Sequence, residues 1–182
     1  MRERIIIAGA GGQGIMLLGK LIALAGLREG KEVSWIPAYG AEVRGGTAYC
    51  MVIISDEEIA SPIVEKADTL ILMNEPSFRK FKEKIDAQGL IIINASLIKA
   101  QASSITKNNS KIKKVRGPFT DIATKLGNIK VANMVALGVY IVKKKIISLN
   151  TVLKVIEEIA PVDKRDLIEI NRQALSCGLK IK

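Results

Sequence analysis

Gly9, Gly11 and Gly14 sit in the heptapeptide AGAGGQG (residues 8–14), where an apolar run gives way to a helical pattern. Their G-x-G-x-x-G spacing is the one that seats a pyrophosphate on a helix N-terminus. Gly9 permits the tight turn, Gly11 lets backbone approach an anion, and Gly14 lets the helix pack closely on the strand. Gly11, Gly12, Gln13 and Gly14 together offer backbone N–H donors and one side-chain amide, and the helix dipole favours negative charge there. A second constellation follows in AYGAEVRGG, where Arg44 supplies a positive fork beside Gly45 and Gly46. A structural ion pair of Arg44 with Glu42 is the plainer alternative. The chemistry on offer is anion binding.

A nicotinamide or flavin dinucleotide requires more. Its ribose is held by an acid at the end of the second strand, about 20 residues beyond the glycines. Here that strand, EVSWI, runs into Pro37 with no carboxylate at its end, while Glu32 comes too early and Glu42 too late. A free-standing NAD(P)- or flavin-dependent oxidoreductase is therefore the weaker alternative.

Catalytic residues are not expected in this chain. There is no histidine, which removes the commonest general base and the usual activator of Ser or Cys nucleophiles. Cys50 and Cys177 are too few for a four-cysteine zinc or iron–sulfur site, so no metal ligands are assigned and both read as structural thiols. The net charge of +10 points to an acidic partner. Between Lys99 and Lys130 the only acid is Asp121, and Lys111, Lys113, Lys114 and Arg116 are the densest basic part. A solvated lysine face is the plain reading. A basic nucleic-acid-binding module is a further alternative, but no aromatic residues interleave the lysines, so no nucleic acid is expected.

The elements that position these residues read as α/β. The chain of 182 residues is expected to form a single domain, residues 1–182. RERIIIAGAGG is a buried strand, GIMLLGKLIALAGLREG a helix stopping near Gly30, and KEVSWIP a strand ended by Pro37. TAYCMVIIS, TLILMN, GLIIINAS and SKIKKVRGP are further strands. Helices are expected at Ile63–Lys66, in EPSFRKFKEKI, in VANMVALGVYIV, from a cap at Ser148 or Asn150, and from Asp163 to Gly178. SSITKNNSK reads as the one mobile loop. The pattern predicts a Rossmann-like, doubly wound, mostly parallel sheet flanked by helices, with helices at the C-terminal end. The apolar stretch 131–142 is too short to span a bilayer and no secretory signal precedes the first strand, so a cytoplasmic protein without a membrane partner is expected.

Four stretches carry a family resemblance. GAGGQGIMLLGKLIA (9–23), WIPAYGAEVRGGTAYC (35–50), PFTDIATKLGNIKVANMVALG (118–138) and DLIEINRQALSCG (166–178) resemble the gamma subunit of the 2-oxoacid:ferredoxin oxidoreductases. Tyr39, Gly40, Glu42, Arg44, Gly45 and Gly46 match that family's loop, while Ala41 replaces its usual proline and leaves the turn less stiff. The resemblance implies a complex that converts a 2-oxoacid, coenzyme A and oxidised ferredoxin to acyl-CoA, carbon dioxide and reduced ferredoxin. It also implies alpha, beta and ferredoxin-like delta partners, which would hold thiamine diphosphate with magnesium and the iron–sulfur clusters. This chain would bind no cofactor alone and would shape the coenzyme A side of the site. Candidate contacts are Gly9, Gly11, Gly12, Gln13, Gly14, Tyr39, Glu42, Arg44, Gly45, Gly46 and Asn133. For Asn133 a helix-start cap is the plainer role. Lys99, Lys111, Lys113, Lys114 and Lys130 are candidates for the coenzyme A phosphates. The loop around residues 35–50 looks closest to the 2-oxoglutarate and branched-chain (ketoisovalerate) types rather than the pyruvate type. Alone, such a chain would expose an apolar docking surface and is expected to self-associate.

Overall fold

The structure, a computed structural model, describes residues 1–39, 47–99, 111–160 and 165–182, with the side chains of Tyr39 and Asp166 excepted. The expected mobile loop 103–111 lies outside this set apart from Lys111, as does the expected helix start at Asp163.

Six strands form one sheet: β1 (Arg2–Ala10), β2 (Glu32–Tyr39), β3 (Thr47–Ser55), β4 (Ala67–Leu72), β5 (Ile85–Asn94) and β6 (Lys113–Gly117). Their order is β2-β3-β1-β4-β5-β6, and β3 alone runs against the rest. The expected mostly parallel α/β fold is thus observed. Its left half departs from a plain Rossmann order because β3 is inserted between β1 and β2.

Apolar alternation covers both faces of the sheet. Ile5 and Ile7 of β1 face a core shared with α1 (Ile15–Arg28), α3 (Phe119–Lys125), α4 (Ala132–Lys144), α5 (Leu149–Ile159) and α6 (Asp166–Leu179). Ile6 and Ala8 face a smaller core, capped by Phe78 and Phe81 of α2 (Glu75–Phe81) and by Val64. Helix α4 is buried from Ala132 through Ile141. It crosses α6 at Gly138 and Gly178, where a Cβ on either glycine would strike the other helix's backbone. No helix among the described residues is long and apolar enough to cross a membrane.

Three local expectations need correction. Pro37 does not end β2: the strand continues to Tyr39, with Pro37 opposite Cys50. An edge strand tolerates proline because one side of its ladder is unused. Residues Ile63–Lys66 form no helix. One turn following Ser61-Pro62 could not outweigh the nucleation cost. Helix α3 was not anticipated, although Phe119, Ile122, Ala123 and Leu126 carry helical spacing.

Candidate anion site at the carboxyl edge of the sheet

The parallel strands β1, β4, β5 and β6 end at one edge, where α/β folds open their ligand crevices. At that edge β1 runs into the glycine turn and then α1. Two of its glycines adopt the left-handed conformation, Gly12 (φ 86°) and Gly14 (φ 69°). Gly9 is a strand residue opposite Ala48. Its missing side chain makes room for Ile15, Gln13 and Met73. A Cβ on Gly11 or Gly12 would meet nothing within 4 Å, so the turn is open on that side. No side chain caps α1 and no acid lies in its first turn. Its free N–H groups and dipole are therefore unopposed by any acid of that turn.

Side-chain amides fix the shape of the turn. Gln13 Oε1 accepts the Ala10 N–H at 2.7 Å, and Gln13 Nε2 donates to the Met73 carbonyl, just past β4, at 3.3 Å. Gln13 thus spends its amide inside the protein, where the sequence suggested a ligand donor. The fully buried Asn94, last residue of β5, donates to the same Met73 carbonyl at 3.1 Å and to Thr120 Oγ1 at 2.8 Å. The first turn of α3 is held in return, because Asn94 Oδ1 accepts from Thr120 N and Ser96 Oγ from Asp121 N. Met73, Asn94 and Thr120 were missed from the sequence. A lone Asn closing the apolar run GLIIIN was the available signal.

Asn133 does not cap its own helix; no side chain caps α4. It donates instead to the Gly14 carbonyl at 3.2 Å, across 119 residues of sequence. The space left by the Gly14 side chain is filled by this amide, not by the strand as the glycine spacing suggested.

The second constellation falls largely outside the described residues: Glu42, Arg44, Gly45 and Gly46 all lie there. Their anchors are placed, since Tyr39 is opposite Ala48 and Thr47 is opposite Ala10. Segment 40–46 therefore leaves from and returns to the edge that carries the glycine turn. The lysines divide. Lys130 sits three residues before Asn133, in a turn where Asn128 Oδ1 accepts its N–H, and Lys99 follows the exposed turn after β5. Register runs Ile5–Thr69–Leu90–Lys113 across β1, β4, β5 and β6. Lys113 therefore lies about 16 Å of strand rise below Ala10. Lys111, Lys113 and Lys114 sit toward the wrong end of the sheet for an anion in the turn.

Apart from Cys50, whose thiol lies against the start of α1, the groups with shifted titration cluster at that opposite end. Burial pushes the Glu3 carboxyl up, although Lys144 Nζ at 2.8 Å and Thr69 Oγ1 at 2.6 Å oppose it. Burial likewise pushes the Tyr140 phenol up. Asp68 is held below its usual value despite burial, because Arg4 donates three hydrogen bonds to it. These pairs read as structural. Among the described residues no group of three His, Cys, Asp or Glu side chains could hold a metal ion. The dinucleotide reading also loses its geometry. With β3 between β1 and β2, the end of β2 stands two strand spacings, roughly 10 Å, from the turn. What remains is a turn with open backbone donors at a helix start and, among the described residues, no acid in the first turn of that helix.

An apolar cleft of about 340 Å³ lies beside the site, between α1, α4, α5 and α6, lined by Leu17, Lys20, Met134 and Ile156 among others. Leu17, on its rim, is 41% exposed.

Residues 4–181 match the family model described as pyruvate ferredoxin/flavodoxin oxidoreductase. The chain is 38% identical over 136 residues to the ketoisovalerate oxidoreductase subunit VorA of Methanothermobacter thermautotrophicus, covering 75% of this chain but only 27% of that relative. It thus spans about a quarter of that relative's length. It is 32% identical over 183 residues to the 2-oxoglutarate synthase subunit KorC of Methanocaldococcus jannaschii, covering 100% of this chain and 94% of that one. Among solved structures it is similar to the 2-oxoglutarate:ferredoxin oxidoreductase of Magnetococcus marinus, determined with 2-oxoglutarate, coenzyme A and succinyl-CoA bound. The TM-score is 0.86 at 25% identity, covering 98% of this chain and 30% of that one.

Proposed function

This chain belongs to the pyruvate ferredoxin/flavodoxin oxidoreductase family, and on that premise we propose that it is the gamma subunit of a 2-oxoglutarate synthase. The complex would convert 2-oxoglutarate, coenzyme A and oxidised ferredoxin to succinyl-CoA, carbon dioxide and reduced ferredoxin. A relative that this chain matches from end to end at 32% identity is a 2-oxoglutarate synthase subunit, which supports the 2-oxoglutarate type. The Magnetococcus enzyme, similar over 98% of this chain, carries coenzyme A and succinyl-CoA.

The observation that carries the role of the chain is the glycine turn. It presents open backbone donors at the positive end of a 14-residue helix, with no acid in the first turn. Such a seat binds a phosphate and does no covalent chemistry. We assign it to a phosphate of coenzyme A, with Arg44, Gly45 and Gly46 of the adjoining segment and Lys130 as further contacts. Thiamine diphosphate with its magnesium supplies the decarboxylation chemistry in such a complex, and iron–sulfur clusters take up the electrons. The residues here do not fit either group: among the described residues no three His, Cys, Asp or Glu side chains gather to hold a metal ion, and of the two cysteines Cys50 is sealed in the core. Both groups are assigned to alpha, beta and delta partners, in the cytoplasm. Exposed Leu17, Leu97 and Ile129 support docking to those partners, and self-association when they are missing.

Reconstitution tests the reading. The purified chain alone should reduce neither ferredoxin nor viologen with 2-oxoglutarate and coenzyme A. Co-expressed with alpha, beta and delta partners, it should complete a complex that does both, with 2-oxoglutarate preferred over pyruvate. Turnover by the chain alone, or a partner complex equally active without it, would overturn the proposal.

A further inference from the structure

Asn133 is 2% exposed and sits in the first turn of α4, where an asparagine side chain can bond nearby backbone of its own helix. It leaves that helix uncapped and reaches α1 instead. Its Nδ2 donates to the Gly14 carbonyl at 3.2 Å, although that carbonyl already accepts the first helical bond from Leu18 N at 2.9 Å. Asn133 Oδ1 is buried and has no hydrogen-bond partner among the described residues. A buried amide that leaves one end unpaired to make a second bond to an occupied carbonyl contributes little net stability.

Peptide geometry supplies the reason for this arrangement. The peptide unit is planar and trans, so the Gly14 carbonyl and the Ile15 N–H lie in one plane and point in opposite directions. Holding the carbonyl from the α4 side therefore aims the Ile15 N–H away from α4. That N–H belongs to the first residue of α1 and has no intrahelical acceptor. The helical bond from Leu18 N turns this carbonyl along the helix axis, and the Asn133 bond fixes it from a second side. Gly14 needs that second hold because it is left-handed at φ 69° and carries no side chain to restrict it. Any Cβ at position 14 would collide with the Asn133 amide, so the two residues specify each other.

We propose that Asn133 is a positioning residue for the anion seat: by clamping the Gly14 carbonyl it orients the Ile15 N–H toward the bound phosphate. This rests on the assignment of the glycine turn to coenzyme A. Asn133 itself touches no ligand; its contribution passes through one peptide plane.

The test uses the assembled complex and compares wild type, N133A, N133S and G11A. In G11A a methyl enters the open side of the turn, where no atom of the described residues lies within 4 Å, so it probes the seat without disturbing the described fold. The inference expects N133A to raise the KM for coenzyme A about five- to tenfold, part of the worth of one hydrogen bond to a charged group, because the Ile15 N–H remains and only its aim is lost. The KM for 2-oxoglutarate should stay within twofold. N133S, smaller and still polar, should raise the coenzyme A KM similarly, and it carries the test should N133A fail to assemble. Two patterns overturn the inference while leaving the seat intact. In one, G11A raises the KM for coenzyme A and the Asn133 variants do not. In the other, the Asn133 variants lower thermal stability and kcat and raise both KM values alike, as a purely structural residue would. If G11A also leaves the KM for coenzyme A unchanged, the assignment of the turn to coenzyme A fails first and the inference falls with it.

Discussion

Gln13 closes the glycine turn on itself: its Oε1 accepts the Ala10 N–H at 2.7 Å while its Nε2 reaches the Met73 carbonyl at 3.3 Å. Asn94 donates to that same carbonyl, so the end of β5, the end of β4 and the glycine turn are tied through one acceptor. The shape of the turn is therefore set before any ligand arrives, which lowers the ordering cost of binding.

Replacing Gln13 separates shape from charge. Gln13→Ala removes both bonds and should cost about 1–2 kcal/mol, read as a lower midpoint in urea unfolding. Gln13→Glu keeps an acceptor for Ala10 N but puts a negative charge beside the seat. In the complex it should raise the KM for coenzyme A several-fold, with the effect shrinking as salt is added. A charge effect on the KM for 2-oxoglutarate instead would place the anion elsewhere.

The α4–α6 crossing should be the least tolerant place for a methyl group. A Cβ on Gly138 would press on the Leu175 carbonyl and the backbone at Gly178, neither of which can turn aside. Gly138→Ala should cost about 1–3 kcal/mol from overpacking. Gly11→Ala, with open space around it, should stay within about 0.5 kcal/mol of wild type. Equal losses for the two in chemical denaturation would mean the helices can separate without penalty.

Two carboxylates at the amino end of the sheet give opposite pH signatures. The Glu3 carboxyl is raised above 4.5 by burial, so the folded chain holds that proton more tightly than the unfolded one. Its contribution is complete below pH 4.5 and is lost as pH rises through the folded value. Asp68 is lowered from 3.8, the Arg4 bonds outweighing burial, so its contribution is present above that value and lost as pH falls through the folded one. Glu3→Gln should flatten the decline on the rising side. Asp68→Asn should flatten the acid limb and cost about 1 kcal/mol at neutral pH, the upper end for a partly exposed pair. Unfolding free energies from pH 2 to 8 check both signs.

Thiol chemistry should distinguish the two cysteines. Burial pushes Cys50 up to about 12, although the Trp35 indole and the Gly19 backbone oppose it. Cys177 is partly exposed on α6. In native protein at pH 8 a disulfide reagent should titrate one thiol readily. The second should react at least about a hundredfold more slowly until denaturant is added. Two equally fast thiols would show that the sheet opens around Cys50.

Much of the fold was legible because local patterns and burial agree. The apolar runs of β1, β4 and β5 could only be strands covered on both faces, and Ser148 caps α5 through Thr151 N as its position suggested. The misreadings fall where neighbours decide. Pro37 looks like a stop until β2 proves to be an edge. Asn133 looks like a cap until Gly14 arrives beside it. The helix at 119–125 was readable from its spacing, but its start depends on Asn94 and Ser96, which lie more than twenty residues earlier.

The sequence by itself determined the α/β class, the glycine turn at a helix start and the family, because periodicity and short motifs are local. Only the tertiary structure decided what the glycines are for. Insertion of β3 beside β1 carries the end of β2 away from the turn, and packing of α4 on α1 fills the space at Gly14 with the Asn133 amide. Both are long-range pairings, fixed by which hydrophobic faces bury one another, and no spacing along the chain encodes them.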